Sequence, residues 1–385
     1  MAVYKLFPEK DTTLYSAYPA LNTGIDAMLE ISNTVPSISP SPRVARSLIQ
    51  FNQEEIEDVI DNKIGDSNFS SSLKLYAAKI QGINLDTTLE VYPASENWGN
   101  GTGEYKDSPQ ITNGSSWKYI EYSGSDIWKT GGYSPYVTGS YSGSISNGLD
   151  IGVGGNWFSG SGYMDREVYA TQSFGLRSIK DLNIDVTNII HAWYTASKST
   201  PINPINNNGF LIKLSGSSEF AANKAIQPLF NYYSVDTNTI YPPSLEIKWD
   251  DFLYSTTLDE ISTTDLFVGL DSNPGEFRLD SINKFRLNVR PEFPVRKFQT
   301  TSIYTQNYAL PTSSYYAIKD LDTNEFVIDF DDIFTKISCD NNSNYFDIYM
   351  NGLEPERYYK ILIKTTINGS TIIKDEDYYF KVVNG

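Results

Sequence analysis

Short runs in which every second residue is apolar recur along this chain, and no other feature constrains its fold as tightly. Leu245-Glu246-Ile247-Lys248-Trp249 sets Leu245, Ile247 and Trp249 on one face of an extended segment, and Phe285-Arg286-Leu287-Asn288-Val289-Arg290 alternates in the same way. Successive side chains of a strand point to opposite faces, so this period belongs to half-buried strands. Between the runs lie turn signals such as Leu21-Asn22-Thr23-Gly24, which suits Asn or Gly at positive φ, and the Pro/Ser-rich stretch from Ser32 to Pro42. Tyr, Ser, Asn, Thr and Gly dominate the polar residues, as in β-sandwiches. Cys339 is the only cysteine, which excludes an intrachain disulfide, so the fold must hold by packing alone. A length of 385 residues with 40% hydrophobic content is ample for two cores and predicts two or three domains.

A formal charge of -17 repels phosphate backbones and anionic membranes, so neither nucleic-acid wrapping nor membrane insertion is expected, and a solvated acidic surface accounts for the same charge. The first residues, Met1-Ala2-Val3-Tyr4-Lys5, lack a basic region followed by an apolar stretch, and no run approaches a membrane span. The expectation is synthesis and folding in a cytoplasm without a signal peptide.

Along the chain, Thr12 to Tyr18 reads as a first strand and Ser47 to Phe51 as another with Ile49 and Phe51 inward. Ile56, Val59, Ile60 and Ile64 recur at helical spacing in Gln53 to Ile64, which reads as the one clear helix, capping an open end of a sandwich. Leu73, Leu75, Leu89 and Val91 supply further core strands, and Trp98 and Trp117 read as large anchors that close loops over the core. In Asp185-Val186-Thr187 an Asp or Thr caps a short helical turn leading to Trp193. From about Phe252 a second set of strand signals begins, with a hairpin around Asp322-Thr323-Asn324 and a last strand over Tyr378, Phe380 and Val382.

Eight phrases in order, among them YKLFPEKDTTLYSAYPALNTG, RSLIQFN, TTLEVYPASENWGNGTGEY, DLNIDVTNIIHAWYT and PPSLEIKWDD, together resemble the DNRLRE domain, a jelly-roll β-sandwich of microbial surface proteins and tailed-phage virions. Residues 353 to 363, Leu353-Glu354-Pro355 then Tyr358, Tyr359 and an alternating strand, resemble the late strands of a fibronectin III or Ig-like domain. FRLNVRPEFPVRKF, YYAIKDLDTNEFVIDFDD and YMNGLEPERYYKILIKTT look like phrases in structural proteins of marine tailed phages, cyanophages among them. The resemblance implies an all-β chain, with a jelly-roll β-sandwich over 1–251 and an Ig/fibronectin III-like β-sandwich over 252–385. It implies a non-enzymatic structural protein of the virion, on the neck, tail or baseplate or decorating the capsid. The partners implied are other virion proteins in a symmetric ring, and virion release by lysis needs no secretion signal.

Candidate sites are few. Thr130 to Gly162 crowds Gly, Ser and Tyr with scarcely any charge, the mixture of recognition loops, and Tyr133, Tyr136, Tyr141 and Trp157 are its candidate binding residues for a protein partner or a host-surface glycan. An aromatic loop packed on its own domain is the plainer reading. The runner-up function is therefore a carbohydrate-binding module or adhesin, which needs Trp157 or Tyr136 exposed. A polysaccharide depolymerase is a remote third, since 47 acidic residues always supply close carboxylate pairs. His191 is the only histidine, so a multi-histidine metal site is impossible, and Cys339 reads as a packing thiol. Gly152-Val153-Gly154-Gly155 lacks the spacing of a dinucleotide loop. Asp320, Asp322 and Asn324 open like a calcium loop, yet Glu325 and Asp331 stand where Gly and Glu are needed. No cofactor is expected. A structural calcium ion with Asp11 or Asp250 as ligand is left open, and the metal is undetermined.

Overall fold

A computed structural model of the chain describes residues 2–37, 42–65, 68–83, 86–122, 126–128, 153–158, 168–199, 204–221, 227–271, 273–295 and 306–384. The protein is all-β. It divides into two compact units, a larger one of Leu6–Lys63 and Ser70–Glu246 and a smaller one of Met1–Lys5, Ile64–Phe69 and Ile247–Gly385. The chain passes from the larger unit to the smaller near 246/247, and residues 1–5 belong to the smaller one. The reason is packing: Val3 lies in the core of the smaller unit, the ring of Tyr4 meets Tyr349 at 5.8 Å, and the Lys5 carbonyl accepts the Asn351 amide at 3.1 Å.

The strands up to the division are β1 (Ala2–Leu6), β2 (Pro8–Tyr15), β3 (Met28–Thr34), β4 (Arg43–Phe51), β5 (Phe69–Leu75), β6 (Ala77–Gln81) and β7 (Thr87–Pro93). They continue with β8 (Tyr119–Glu121), β9 (Asp126–Ile127), β10 (Ala170–Phe174), β11 (Leu182–Asp185), β12 (Phe210–Leu214), β13 (Leu229–Tyr233) and β14 (Ser244–Trp249). The main sheet of the larger unit runs β10-β7-β12-β4-β3-β13-β6, with β2 also on β4. Two of its inner strands, β4 and β12, are buried on both faces, so their burial is continuous where that of β5 and β7 alternates. One face of β12 places Phe210 against Trp193 at 4.6 Å, and the other places Leu211 in a cluster with Leu14, Val44, Leu48 and four tryptophans, Trp98, Trp117, Trp128 and Trp157.

Trp193 belongs to a 12-residue helix, α2 (Thr187–Lys198), preceded by α1 (Gln53–Asp58) and followed by the single turn α3 (Gly216–Glu219). The helix expected over Gln53–Ile64 is present, with Asn52 accepting the Glu54 and Glu55 N–H groups at its start and its second half, Val59–Ile64, wound as π-helix. It is not the one clear helix, because Ile189, Ile190, Ala192 and Trp193 give α2 a buried stripe long enough to outlast a capped turn. Asp185 Oδ1 starts it by accepting the Thr187 N–H at 2.9 Å and the Thr187 hydroxyl at 2.6 Å.

One buried side chain ties two of the turn phrases together. Asn22, fully buried, donates to the Asn100 and Ser115 carbonyls at 2.7 and 2.8 Å and accepts the Gly24 and Gly103 N–H groups at 3.1 and 3.0 Å, so both halves of its amide are used. Gly24 is required by close approach, since a Cβ there would stand 1.9 Å from the Asn100 carbonyl oxygen. The next residue guards the sheet. Thr23 Oγ1 accepts the Thr13 N–H at 3.0 Å and donates to the Thr13 carbonyl at 2.9 Å, so one hydroxyl pairs both backbone groups of a β2 residue.

The smaller unit contains β15 (Leu266–Leu270), β16 (Glu276–Arg278), β17 (Ile282–Pro291), β18 (Ser314–Asp320), β19 (Phe326–Ile328), β20 (Ser338–Cys339), β21 (Asn344–Tyr349), β22 (Tyr358–Ile367), β23 (Ser370–Lys374) and β24 (Tyr379–Val383). One sheet runs β15-β17-β21-β20 and the other β16-β24-β22-β18-β19, with β23 on β22 and β16 parallel to β24. Phe285, Phe346, Tyr316, Tyr359 and Phe380 form its aromatic core, with Tyr316 stacked on Phe346 at 4.2 Å. The Tyr359 hydroxyl donates to the Glu354 carbonyl at 2.9 Å.

Replacing Asn22 by Ala strands two donors and two acceptors in a buried site. Urea unfolding of Asn22→Ala is expected to show a loss of about 3 kcal/mol or more. A loss within ~0.5 kcal/mol would mean that the two loops hold without it.

Candidate functional site

Charge is concentrated on one buried face of the main sheet. Alternation on β4 turns Arg46 to the same side as Leu48; on β12 it turns Lys213 to the side of Leu211, opposite Glu90 of β7. Arg46, 0% exposed, donates from Nε to Glu219 Oε1 at 2.7 Å and from Nη1 to the Gly154 and Val153 carbonyls at 2.7 and 3.3 Å. Its guanidinium lies 4.9 Å from the ring of Trp117, 5.0 Å from Trp157 and 5.9 Å from Phe220. Lys213 pairs with Glu90 at 2.8 Å and with Glu219 at 3.6 Å. Two cations and two carboxylates thus balance beside the tryptophans, with Arg46 Nη2 left without an acceptor among the described residues.

The cluster holds down the segment 153–158. Val153 takes φ +97, a left-handed value that a β-branched residue rarely adopts, and Gly154 follows at φ +83 where a Cβ would stand 2.6 Å from the Trp117 ring. Arg46 grips the carbonyls of both residues, the Gly154 N–H donates to the Trp117 carbonyl at 2.7 Å, and Trp157 bridges to Ala94.

Of the candidate binding residues, Trp157 is 7% exposed, its ring between Tyr92 at 5.9 Å, Arg46 and Lys213. Tyr133, Tyr136 and Tyr141 lie outside the described residues. Trp98 and Trp117 are buried, and the Trp98 indole donates to the Asn208 carbonyl at 2.9 Å. His191 is half-buried on α2, where its carbonyl accepts the Thr195 hydroxyl. Cys339 is buried on β20, and burial pushes its thiol up. Asp320 accepts a two-pronged ion pair from Arg357 at 2.6 and 2.8 Å and also the Asp322 and Thr323 N–H groups. Burial alone would raise its pKa, yet the guanidinium and these donors hold the carboxyl below the ordinary range. The spacing that resembled a calcium loop is therefore a turn built on Asp320, with Asn324 at φ +62. Among the described residues no group of three or more His, Cys, Asp or Glu is placed to hold a metal ion.

Neither Arg46 nor Lys213 stands out as a site in the sequence. The available signal is a lone cation inside a run that holds no other charge and is mostly apolar, VARSLI and FLIKL, which marks a buried ion pair.

Asp11 forms a second buried polar point. It is 1% exposed, and its Oδ2 accepts the Val235 N–H at 2.7 Å. Burial raises its pKa to about 7; the Val235 N–H opposes the rise and Asp236 and Asp26 add to it. The folded protein therefore binds a proton here that the unfolded chain releases near pH 4, so this group's contribution to stability falls as pH rises from about 4 to 7.

No family model matches the chain, and no curated protein matches it. Among solved structures, a DUF4785 family protein from Legionella pneumophila subsp. pneumophila str. Philadelphia 1 aligns at 7% identity and a TM-score of 0.17, over 98% of this chain and 66% of that one. The β-glucuronidase of Parabacteroides merdae aligns at 9% identity and a TM-score of 0.16, over 98% of this chain and 35% of that one. Likeness at this level carries no argument about fold or activity.

Two substitutions test the buried charges. Asp11→Asn should flatten the pH dependence, leaving stability at pH 4 close to the parent's and raising it at pH 8 by an amount on the order of a few kcal/mol; thermal melts at the two pH values decide. Arg46→Lys keeps the charge but loses the planar fork and the ring contacts, and should cost roughly 2 kcal/mol in urea unfolding. An unchanged midpoint would contradict the role given to the guanidinium.

Proposed function

We propose that the chain is a non-enzymatic structural component of a tailed-phage virion, docking with other virion proteins at a symmetric position on the neck, tail, baseplate or capsid surface. The observation that carries the reading is the distribution of large side chains. Trp98, Trp117, Trp128 and Trp157 are interior, while Leu176, Ile179 and Phe293 are 74%, 79% and 81% exposed. Large apolar side chains displayed on loops suit docking to protein. The glycan reading needs an exposed Trp157 or Tyr136; the Trp157 ring is packed against its own sheet, and Tyr136 lies outside the described residues.

Asn22 bonds the LNTG phrase to the NWGNGTG phrase, two of the segments that resemble the DNRLRE domain. The Ig-like reading gains support from the strand order β15-β17-β21-β20 beside β16-β24-β22-β18-β19, and from the Tyr359 hydroxyl reaching back to Glu354 as in a tyrosine corner. Repetition around a ring raises avidity even where each contact is weak.

Mass spectrometry of purified particles from the lysate tests the proposal. The chain should co-purify with intact particles at a fixed ratio to the major capsid protein. Recovery only as free protein, with binding on a glycan array, would favour a carbohydrate-binding module instead.

A further inference from the structure

Between β10 and β11 the chain makes a knuckle, Gly175-Leu176-Arg177-Ser178-Ile179-Lys180, which is bonded within itself. The Ser178 hydroxyl accepts the Gly175 N–H at 2.8 Å and donates to the Gly175 carbonyl at 2.9 Å, and the Ser178 N–H and Lys180 Nζ donate to the same carbonyl. At its base Asp181 Oδ1 accepts the Ala77 N–H at 2.8 Å, and the Asp181 carbonyl accepts the Gln172 amide at 3.1 Å. Leu176 and Ile179 are therefore held outward by a closed turn. The knuckle also carries a cation on an acidic chain: Arg177 is exposed, while Asp181 is engaged at the base and the Asp86 carboxylate lies beside Gly175. A surface that receives it should combine apolar walls with a carboxylate.

The smaller unit offers such a surface. A cleft of about 420 Å³ is lined by Asp265, Pro291, Phe293, Pro294, Val295 and Tyr308 among others. Phe293 and Val295 are 81% and 80% exposed, and Asp265 is exposed. The neighbouring cation, Arg290, is turned onto the Phe267 ring at 4.6 Å and donates to the Pro291 and Glu292 carbonyls.

We propose that the occupant of this cleft is the knuckle of a second copy of the chain, with Leu176 and Ile179 against Phe293, Pro294 and Val295, and Arg177 facing Asp265. Two different surfaces meet, so the contact is heterologous and repeats from copy to copy, giving a ring if the rotation closes and an open string if it does not. A knuckle in a cleft covers less than the ~800 Å² per partner of a stable pair, so one contact is weak and closure strengthens the assembly. The inference rests on the assembly role proposed above and adds that the chain assembles with itself.

Sedimentation velocity on the full chain over a concentration series tests it, with Arg177→Glu, Asp265→Lys, their combination, and the pair Leu176→Ser with Ile179→Ser. The wild type should form species larger than the monomer as concentration rises. Each single charge reversal and the double serine variant should weaken association by about tenfold or more, and the combined reversal should restore it. The altered residues are exposed, so thermal midpoints should stay put and separate lost association from lost folding. A wild type that is monomeric throughout, or a combined reversal no better than either single one, overturns the inference. A monomer found in particles contradicts only this self-contact; a self-associating chain absent from particles contradicts only the virion role.

Discussion

In the larger unit the Asn22 carboxamide is the contact that the loops cannot do without. Its two donors and two acceptors meet four backbone groups from Gly24, Asn100, Gly103 and Ser115, all in a site closed to water. Backbone groups in irregular loops have no ladder to satisfy them, and a buried carbonyl or N–H without a partner is costly. One Asn does for these loops what a neighbouring strand does for β4. Thr23, next in the chain, does the same for the open side of β2, so two adjacent residues join the entry loop to the Trp98 loop and cover an edge.

The Arg46 cluster solves a different problem on the same principle. The segment 153–158 packs on a face of the sheet, and its backbone at Val153 is in a left-handed conformation that costs energy for a β-branched residue. Arg46 offsets that cost by donating to the Val153 and Gly154 carbonyls while Glu219 neutralises it, and Trp117 and Trp157 exclude water around the pair. A buried pair of this kind contributes little net stability against a well-packed apolar pair, but it specifies one arrangement. In the smaller unit Asp320 and Arg357 form a comparable pair, partly exposed, that fixes a hairpin turn.

Strand patterning made the all-β class legible, because Leu89 and Val91 or Phe285, Leu287 and Val289 alternate with polar neighbours on strands that bury one face. β4 and β12 were harder, since two-sided burial removes the alternation and leaves charges such as Arg46 and Lys213 looking like surface residues. α2 read as a turn because the sequence shows a cap and a Trp but not the sheet face that stabilises its buried stripe. The unit boundary was illegible for a long-range reason: Val3 enters a core whose other members begin at Ile261, a contact that no local pattern records. For the candidate site, Trp157 was visible as an aromatic in a Gly/Ser-rich stretch, but its burial depends on Arg46, Tyr92 and Lys213 from three separate strands.

Both units are thus held by buried side chains that satisfy loop backbone, and the exposed Leu176 and Ile179 sit on a loop bonded from within. Such a body is suited to keeping fixed surfaces in place. Native-state hydrogen exchange at the Gly24, Gly103 and Gly154 amides measures this directly, because each lies in a loop and each is bonded to a buried partner. Exchange of all three only through global unfolding, with the same free energy and denaturant slope as the core amides of β4, is the result the account predicts. Fast exchange of these amides by local opening, while β4 stays protected, would contradict it.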